Sequence, residues 1–216
     1  SNAVNNFFDP NNAWSVSILG REYSWTVVIA GIILTICVGM VIIGGIKRIA
    51  SVSQIVVPFM AGIYILACLV LLVLNYKHIP NAFKAIFEGA FGLRAAAGGA
   101  LGSIMVAMQK GIARGIFSNE AGLGSAPIAA AAAQTNEPVR QGLVSMTGTF
   151  IDTIVICTMT GLTIVITDTW NIGLEGVAVT TAAFQQGLPF SNTVSAFILM
   201  LCLVFFAFTT ILGWDY

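Results

Sequence analysis

The stretch YSWTVVIAGIILTICVGMVIIGG, residues 23–45, decides the fold class. It is almost wholly apolar, and roughly 20 helical residues are enough to cross a bilayer. Lys47 and Arg48 close it. Working outward, similar runs recur at about 51–76, 81–110, 138–167 and 191–216, which predicts five spanning helices in one transmembrane domain, 1–216. Pro58 falls near the start of the second run, where a missing N–H costs least. The runs are continuous rather than alternating, so they read as helices and not as barrel strands. The 216 residues are 57% hydrophobic and 8% charged, with nine basic and nine acidic side chains. Mean hydropathy is +0.93. A soluble domain carries about 25% charged residues. This composition excludes a soluble enzyme, a disordered tail and a disulfide scaffold, and leaves no basic field for nucleic acid.

The connections are polar. Residues 1–22, with Asn5, Asn6, Asp9, Pro10, Asn11 and Asn12, read as an extracellular loop. Residues 111–137, GIARGIFSNEAGLGSAPIAAAAAQTNE, read as an irregular segment on the cytoplasmic side. Thr135-Asn136-Glu137-Pro138 is a helix start signal. Residues 168–190 read as a loop with a short helix around Gly176–Gln186. The last run reaches Tyr216 with no polar flank, as if cut inside a helix. Lys47 and Arg48, then Lys110, Arg114 and Arg140, fall in alternate connections. The positive-inside rule places those connections in the cytoplasm and the N-terminal loop outside.

Four features carry candidate chemistry. The third run holds Gly98-Gly99 at its middle, which predicts a broken helix flanked by Phe87 and Phe91. Half-helix ends at mid-membrane attract carboxylates and cations; the same glycines would also serve as a close-packing face. Asp152 lies within the fourth run, as an ion ligand or as a buried polar anchor. Thr209-Thr210 in FFAFTTILGW offers hard oxygens for a cation, or hydroxyls that merely back-bond to their own helix, and Trp214 follows one turn later. Asn119 and Glu120 concentrate polarity in RGIFSNEAGLGSAP. That segment fits neither a Walker A loop nor GxGxxG, and Ser125 lacks a nucleophile-elbow context, so no enzyme is expected. The four cysteines form no CxxC and lone His78 has no ligand company, so no metal site beyond sodium is expected.

GIARGIFSNEAGLGSAPIAAAAA, with IIGGIKRIA, VPFMAGIYIL, IFEGAFGLRAAAGGALG, DTIVICTMTGL and FAFTTILGW, resembles the alanine or glycine:cation symporter family over about residues 25–216. The resemblance implies a LeuT-type inverted-repeat fold of the APC superfamily, to which this chain would supply the fourth to eighth helices. The first helix, holding the other half of the sites, would lie outside it. It implies sodium-coupled symport of alanine, glycine or a similar small neutral amino acid in a bacterial or archaeal inner membrane. A proton-coupled carrier and a channel subunit are the alternatives. Sodium is the coupling ion, with no other cofactor. The implied sodium ligands are Thr209, Thr210 and the Phe206 carbonyl. The implied substrate residues are Phe87, Phe91, Gly98, Gly99 and Trp214. Asn119, Glu120 and Asp152 would serve a gate or a structural polar role. Ser1-Asn2-Ala3 reads as an expression remnant or as a native end that the family shares.

Overall fold

The computed structural model describes residues 2–9, 15–18, 21–91, 100–118, 130 and 133–214. The chain is predominantly helical. A short helix α1 (Asn2–Phe8) precedes an antiparallel hairpin, β1 (Ser15–Ile18) with β2 (Arg21–Ser24), paired Ser15 to Ser24 and Ile18 to Arg21. Then come α2 (Trp25–Ile42), α3 (Gly45–Leu74), α4 (Ile79–Phe91) and α5 (Ala100–Ser118). A long helix, Pro138–Ile166, is built from α6 (Pro138–Phe150), a π-helical segment (Ile151–Ile156) and α7 (Cys157–Ile166). The short α8 (Val177–Gly187) leads to α9 (Asn192–Trp214). Among the described residues, α2, α3, Pro138–Ile166 and α9 are long and apolar enough to cross a membrane. The protein is a multi-pass α-helical membrane protein.

Several bounds differ from the sequence expectation. The second helix starts at Gly45, not near residue 51, because Gly45 adopts φ +71° and closes the α2–α3 turn within Ile43–Gly44. A side chain would strain that backbone. Lys47 and Arg48 therefore ride on the first turn of α3, and Pro58 lies in its interior. Within the run 81–110, the described residues form α4 as far as Phe91 and α5 from Ala100. The expected break at Gly98-Gly99 lies outside the described residues. Residues 111–118, expected to be irregular, continue α5, while Asn119 and Glu120 also lie outside the described residues. Among the described residues of the N-terminal stretch, α1 and the hairpin stand where a loop was expected. Buried Asp9 accepts from Ser24 Oγ at 3.4 Å, Ser24 Oγ lies 2.8 Å from Thr26 Oγ1, and Thr26 donates to Asn5 Oδ1 at 2.6 Å. The polar residues that signal a loop here tie α1 to the start of α2.

The contacts set the helices antiparallel. At one end, Val38 and Val41 of α2, Ile49 of α3 and Leu212 of α9 form a buried cluster beside the α2–α3 turn. At the other, hairpin end, α1 packs on α2, α8 and α9, with Phe7 and Phe197 ring centroids 5.8 Å apart. The main core lies toward that end. Fully buried Phe184 of α8 stacks on Tyr64 of α3 at 5.8 Å, joined by Cys68, Leu71, Leu199 and Cys202. All four cysteines are free thiols: Cys68 and Cys202 are core residues as expected, whereas Cys157 is exposed.

One hydrogen bond ties this core to the long helix. Thr160 Oγ1 donates its only proton to the Ile156 carbonyl at 2.7 Å. The 2.6 Å contact with Tyr64 Oη is then a bond that Tyr64 donates. Tyr64→Phe removes one donor and is expected to cost about 1 kcal/mol. Thr160→Val also takes the acceptor from a buried phenol and is expected to cost more, about 1–3 kcal/mol. Apparent melting temperatures of the two variants in detergent check this order.

Candidate functional site

Helix α9 carries the hydroxyl pair. It is apolar on most positions, so its few oxygens stand out by position. Residues 206, 209 and 210 fall at i, i+3 and i+4, which places them on one face. Thr210 Oγ1 donates to the Phe206 carbonyl at 2.8 Å. Thr209 Oγ1 lies 3.1 Å from the same carbonyl and 3.0 Å from that of Phe205. The three expected ligand oxygens thus converge. Thr210 is exposed, and half-buried Thr209 reaches Met60 Sδ of α3 at 3.7 Å.

Back-bonding alone does not distinguish these threonines, because Thr35, Thr147 and Thr181 make the same bond to carbonyls four residues earlier. Thr167 and Thr169 likewise share one carbonyl, that of Ile164, at 3.3 and 3.4 Å; the α9 pair differs in that its two hydroxyls are on consecutive residues within a single helix. A hydroxyl that donates its proton keeps two lone pairs for a hard cation. Phe206 O accepts from both hydroxyls, so a cation on it displaces at least one. Thr209 has the Phe205 carbonyl as an alternative acceptor, so its proton need not be orphaned.

The other expected residues are more dispersed. Trp214 is 55% exposed at the end of α9. Phe87 is 62% exposed on α4, and Phe91 ends that helix. Asp152 sits in the π-helical segment, half-buried, and α5 packs against that segment. A π-turn widens the helix and is frequent at functional sites; residue periodicity in 138–167 carries no sign of it. A crevice of about 420 Å³ runs between α2 and α9, lined by Ala30, Gly31, Leu34, Leu203 and Ala207, with Ala207 one turn before Thr210. Its walls are apolar, so it offers shape and not charge. Among the described residues no cluster of His, Cys, Asp and Glu could hold a metal ion.

The sequence profile of the sodium:alanine symporter family matches residues 3–216. An uncharacterized transporter of Haemophilus influenzae is 57% identical over 192 residues, covering 88% of this chain and 42% of its own. The sodium/alanine symporter AgcS of Methanococcus maripaludis is 50% identical over 192 residues, 87% of this chain and 41% of its own. The amino-acid carrier protein AlsT of Bacillus subtilis is 38% identical over 186 residues, 86% of this chain and 38% of its own. The chain spans about two fifths of the length of these relatives. A profile match from residue 3 to residue 216, over a bundle of apolar helices bearing a convergent oxygen cluster, establishes that this chain belongs to the sodium:alanine symporter family.

Proposed function

We propose that the protein carrying this chain is a sodium-coupled symporter of alanine, glycine or similar small neutral amino acids. In this reading the helices from α2 to α9 supply the fourth to eighth helices of a LeuT-type inverted repeat. The observation that carries it is the convergence of Thr209, Thr210 and the Phe206 carbonyl on one face of α9. Sodium bound there holds α9 against a neighbouring helix, and its release frees the bundle to rock toward the other side of the membrane. Trp214, one turn beyond Thr210, covers the amino acid, and the half-helix ends expected near Gly98-Gly99 meet its charges. Lys47, Arg48, Lys110 and Arg140 orient the α2–α3 turn end toward the cytoplasm and the hairpin end outward. Transport, rather than catalysis, is the work of such a bundle.

Asp152 supports a second reading. A carboxylate within a spanning helix marks an ion or proton path, so the coupling ion in that reading is a proton. The deciding experiment is radiolabelled alanine uptake into proteoliposomes under an inward sodium gradient, an inward proton gradient, or neither. Accumulation driven by sodium alone is the expected result. Accumulation driven only by protons moves the coupling site from the α9 oxygens to Asp152, and none under either gradient refutes the substrate class.

A further inference from the structure

We propose that Met60 of α3 is a positioning residue for the cation site on α9, holding the Thr209 hydroxyl through its thioether sulfur. This role rests on the sodium reading proposed for α9. Met60 is 5% exposed, and α3 packs closely on α9. Beside it, the Phe59 ring meets that of Phe205 edge-on, with centroids 6.2 Å apart. One turn along, Tyr64 meets Phe206 in the same way, also at 6.2 Å. Tyr64 is itself fixed by its bond to Thr160. These two ring pairs hold the helices in register and bring Met60 opposite Thr209, whose Oγ1 lies 3.7 Å from Met60 Sδ.

Thr209 has one proton and three acceptors within reach: the Phe205 and Phe206 carbonyls, at 3.0 and 3.1 Å, and the Met60 sulfur. Both carbonyls belong to its own helix; the sulfur comes from a neighbouring one. A cation on the Phe206 carbonyl and on Thr209 Oγ1 repels the hydroxyl proton from that side, toward the Phe205 carbonyl and Met60. A thioether is a weak acceptor and a soft ligand, unsuited to a hard cation. It takes a share of the proton without competing for the ion. Two χ1 rotamers are open to a threonine in a helix. Met60 favours the one that sets Oγ1, rather than the methyl group, beside the sulfur. An apolar residue at position 60 loses that preference, and apparent affinity falls in proportion to the competent fraction that is lost. Thr210 is exposed and bonds within α9, so the effect of Met60 runs through Thr209.

The test is sodium activation of alanine uptake in proteoliposomes by the protein carrying this chain. Met60→Leu keeps the bulk of the side chain and removes the sulfur. The sodium concentration for half-maximal uptake is expected to rise about two- to fivefold, as the competent rotamer falls to between about a half and a fifth of the population. The maximal rate at saturating sodium is expected to stay at the parent value. In a Thr209→Val background, Met60→Leu is expected to add nothing, because the hydroxyl it acts on is gone; in a Thr210→Val background it is expected to shift the curve by the same factor as alone. Met200→Leu, at a buried methionine of α9 that lines a small crevice with Phe7 and Thr181 toward the hairpin end, is expected to follow the parent curve. A parent-like curve for Met60→Leu beside a shifted one for Thr210→Val overturns the role of Met60 and leaves the sodium site standing. Parent-like curves for Met60→Leu, Thr209→Val and Thr210→Val together overturn both. An equal shift by Met60→Leu with and without the Thr209 hydroxyl makes Met60 a packing residue and overturns the proposal. A second measurement needs no transport: the sodium concentration that half-maximally raises the apparent melting temperature in detergent is expected to shift by the same factor in Met60→Leu. An unshifted midpoint overturns the role of Met60, and a parent that sodium does not stabilise overturns the sodium reading with it.

Discussion

Thr210→Val is expected to raise the sodium concentration needed for half-maximal alanine uptake at least tenfold. The substitution keeps the shape of the side chain and deletes one oxygen. A hydrogen bond or ligand contact to a charged group contributes about 1.5–3 kcal/mol, which is about 10- to 150-fold in an equilibrium constant. The fold should be little affected, because Thr210 is exposed and its bond is to a carbonyl of its own helix. Thr35→Val is the control: the same back-bond, at 2.8 Å to Gly31, on the exposed surface of another span. Uptake by the Thr35 variant should follow the parent curve. A Thr210 variant whose sodium activation curve matches that of the parent would remove α9 from the sodium site. Thr209→Val is expected to act in the same direction and additionally to loosen the contact with Met60.

The largest effect on stability is expected from Gly187→Ala. A Cβ built there lies 2.6 and 2.7 Å from Leu71 Cδ1 and Cγ. Leu71 is fully buried, so the whole leucine must move, and Cγ is not a free end. Overpacking of this kind costs about 1–3 kcal/mol. For a chain of this size that corresponds to roughly 2–12 °C in apparent melting temperature. The shift also strains the Asn75 Nδ2 bond to the Gly187 carbonyl, 3.0 Å long, which ties the end of α3 to the end of α8. Gly161→Ala has nothing within 4 Å of its Cβ and should leave the temperature unchanged or raise it. If the two variants melt together, α8 is not packed on α3 as closely as the structure has it.

The interior of this protein was less legible than its class. In α2, apolar side chains surround the helix on all sides. No stripe in its sequence tells which residues face protein, since lipid is as apolar as the core. Only Val38 and Val41 of α2 are buried. α4 has a polar arc that the sequence displays as Asn81, Lys84 and Glu88. The threonine oxygens of α9 were legible because i, i+3 and i+4 spacing is a property of any helix, whatever it packs against. Tyr64 with Thr160, 96 positions apart, was not.

The sequence by itself determined the solvent of this protein, because continuous hydropathy and charged connections are local properties that any bilayer reads the same way. Its motifs also determined the family. Helix rotation was decided by the tertiary structure alone: Phe184 between Tyr64 and the α9 core, Gly187 against Leu71, and the π-helical turn around Asp152. The physical reason is that in lipid the hydrophobic effect inserts helices without orienting them. Orientation comes from close packing and a few hydrogen bonds between residues far apart in the chain.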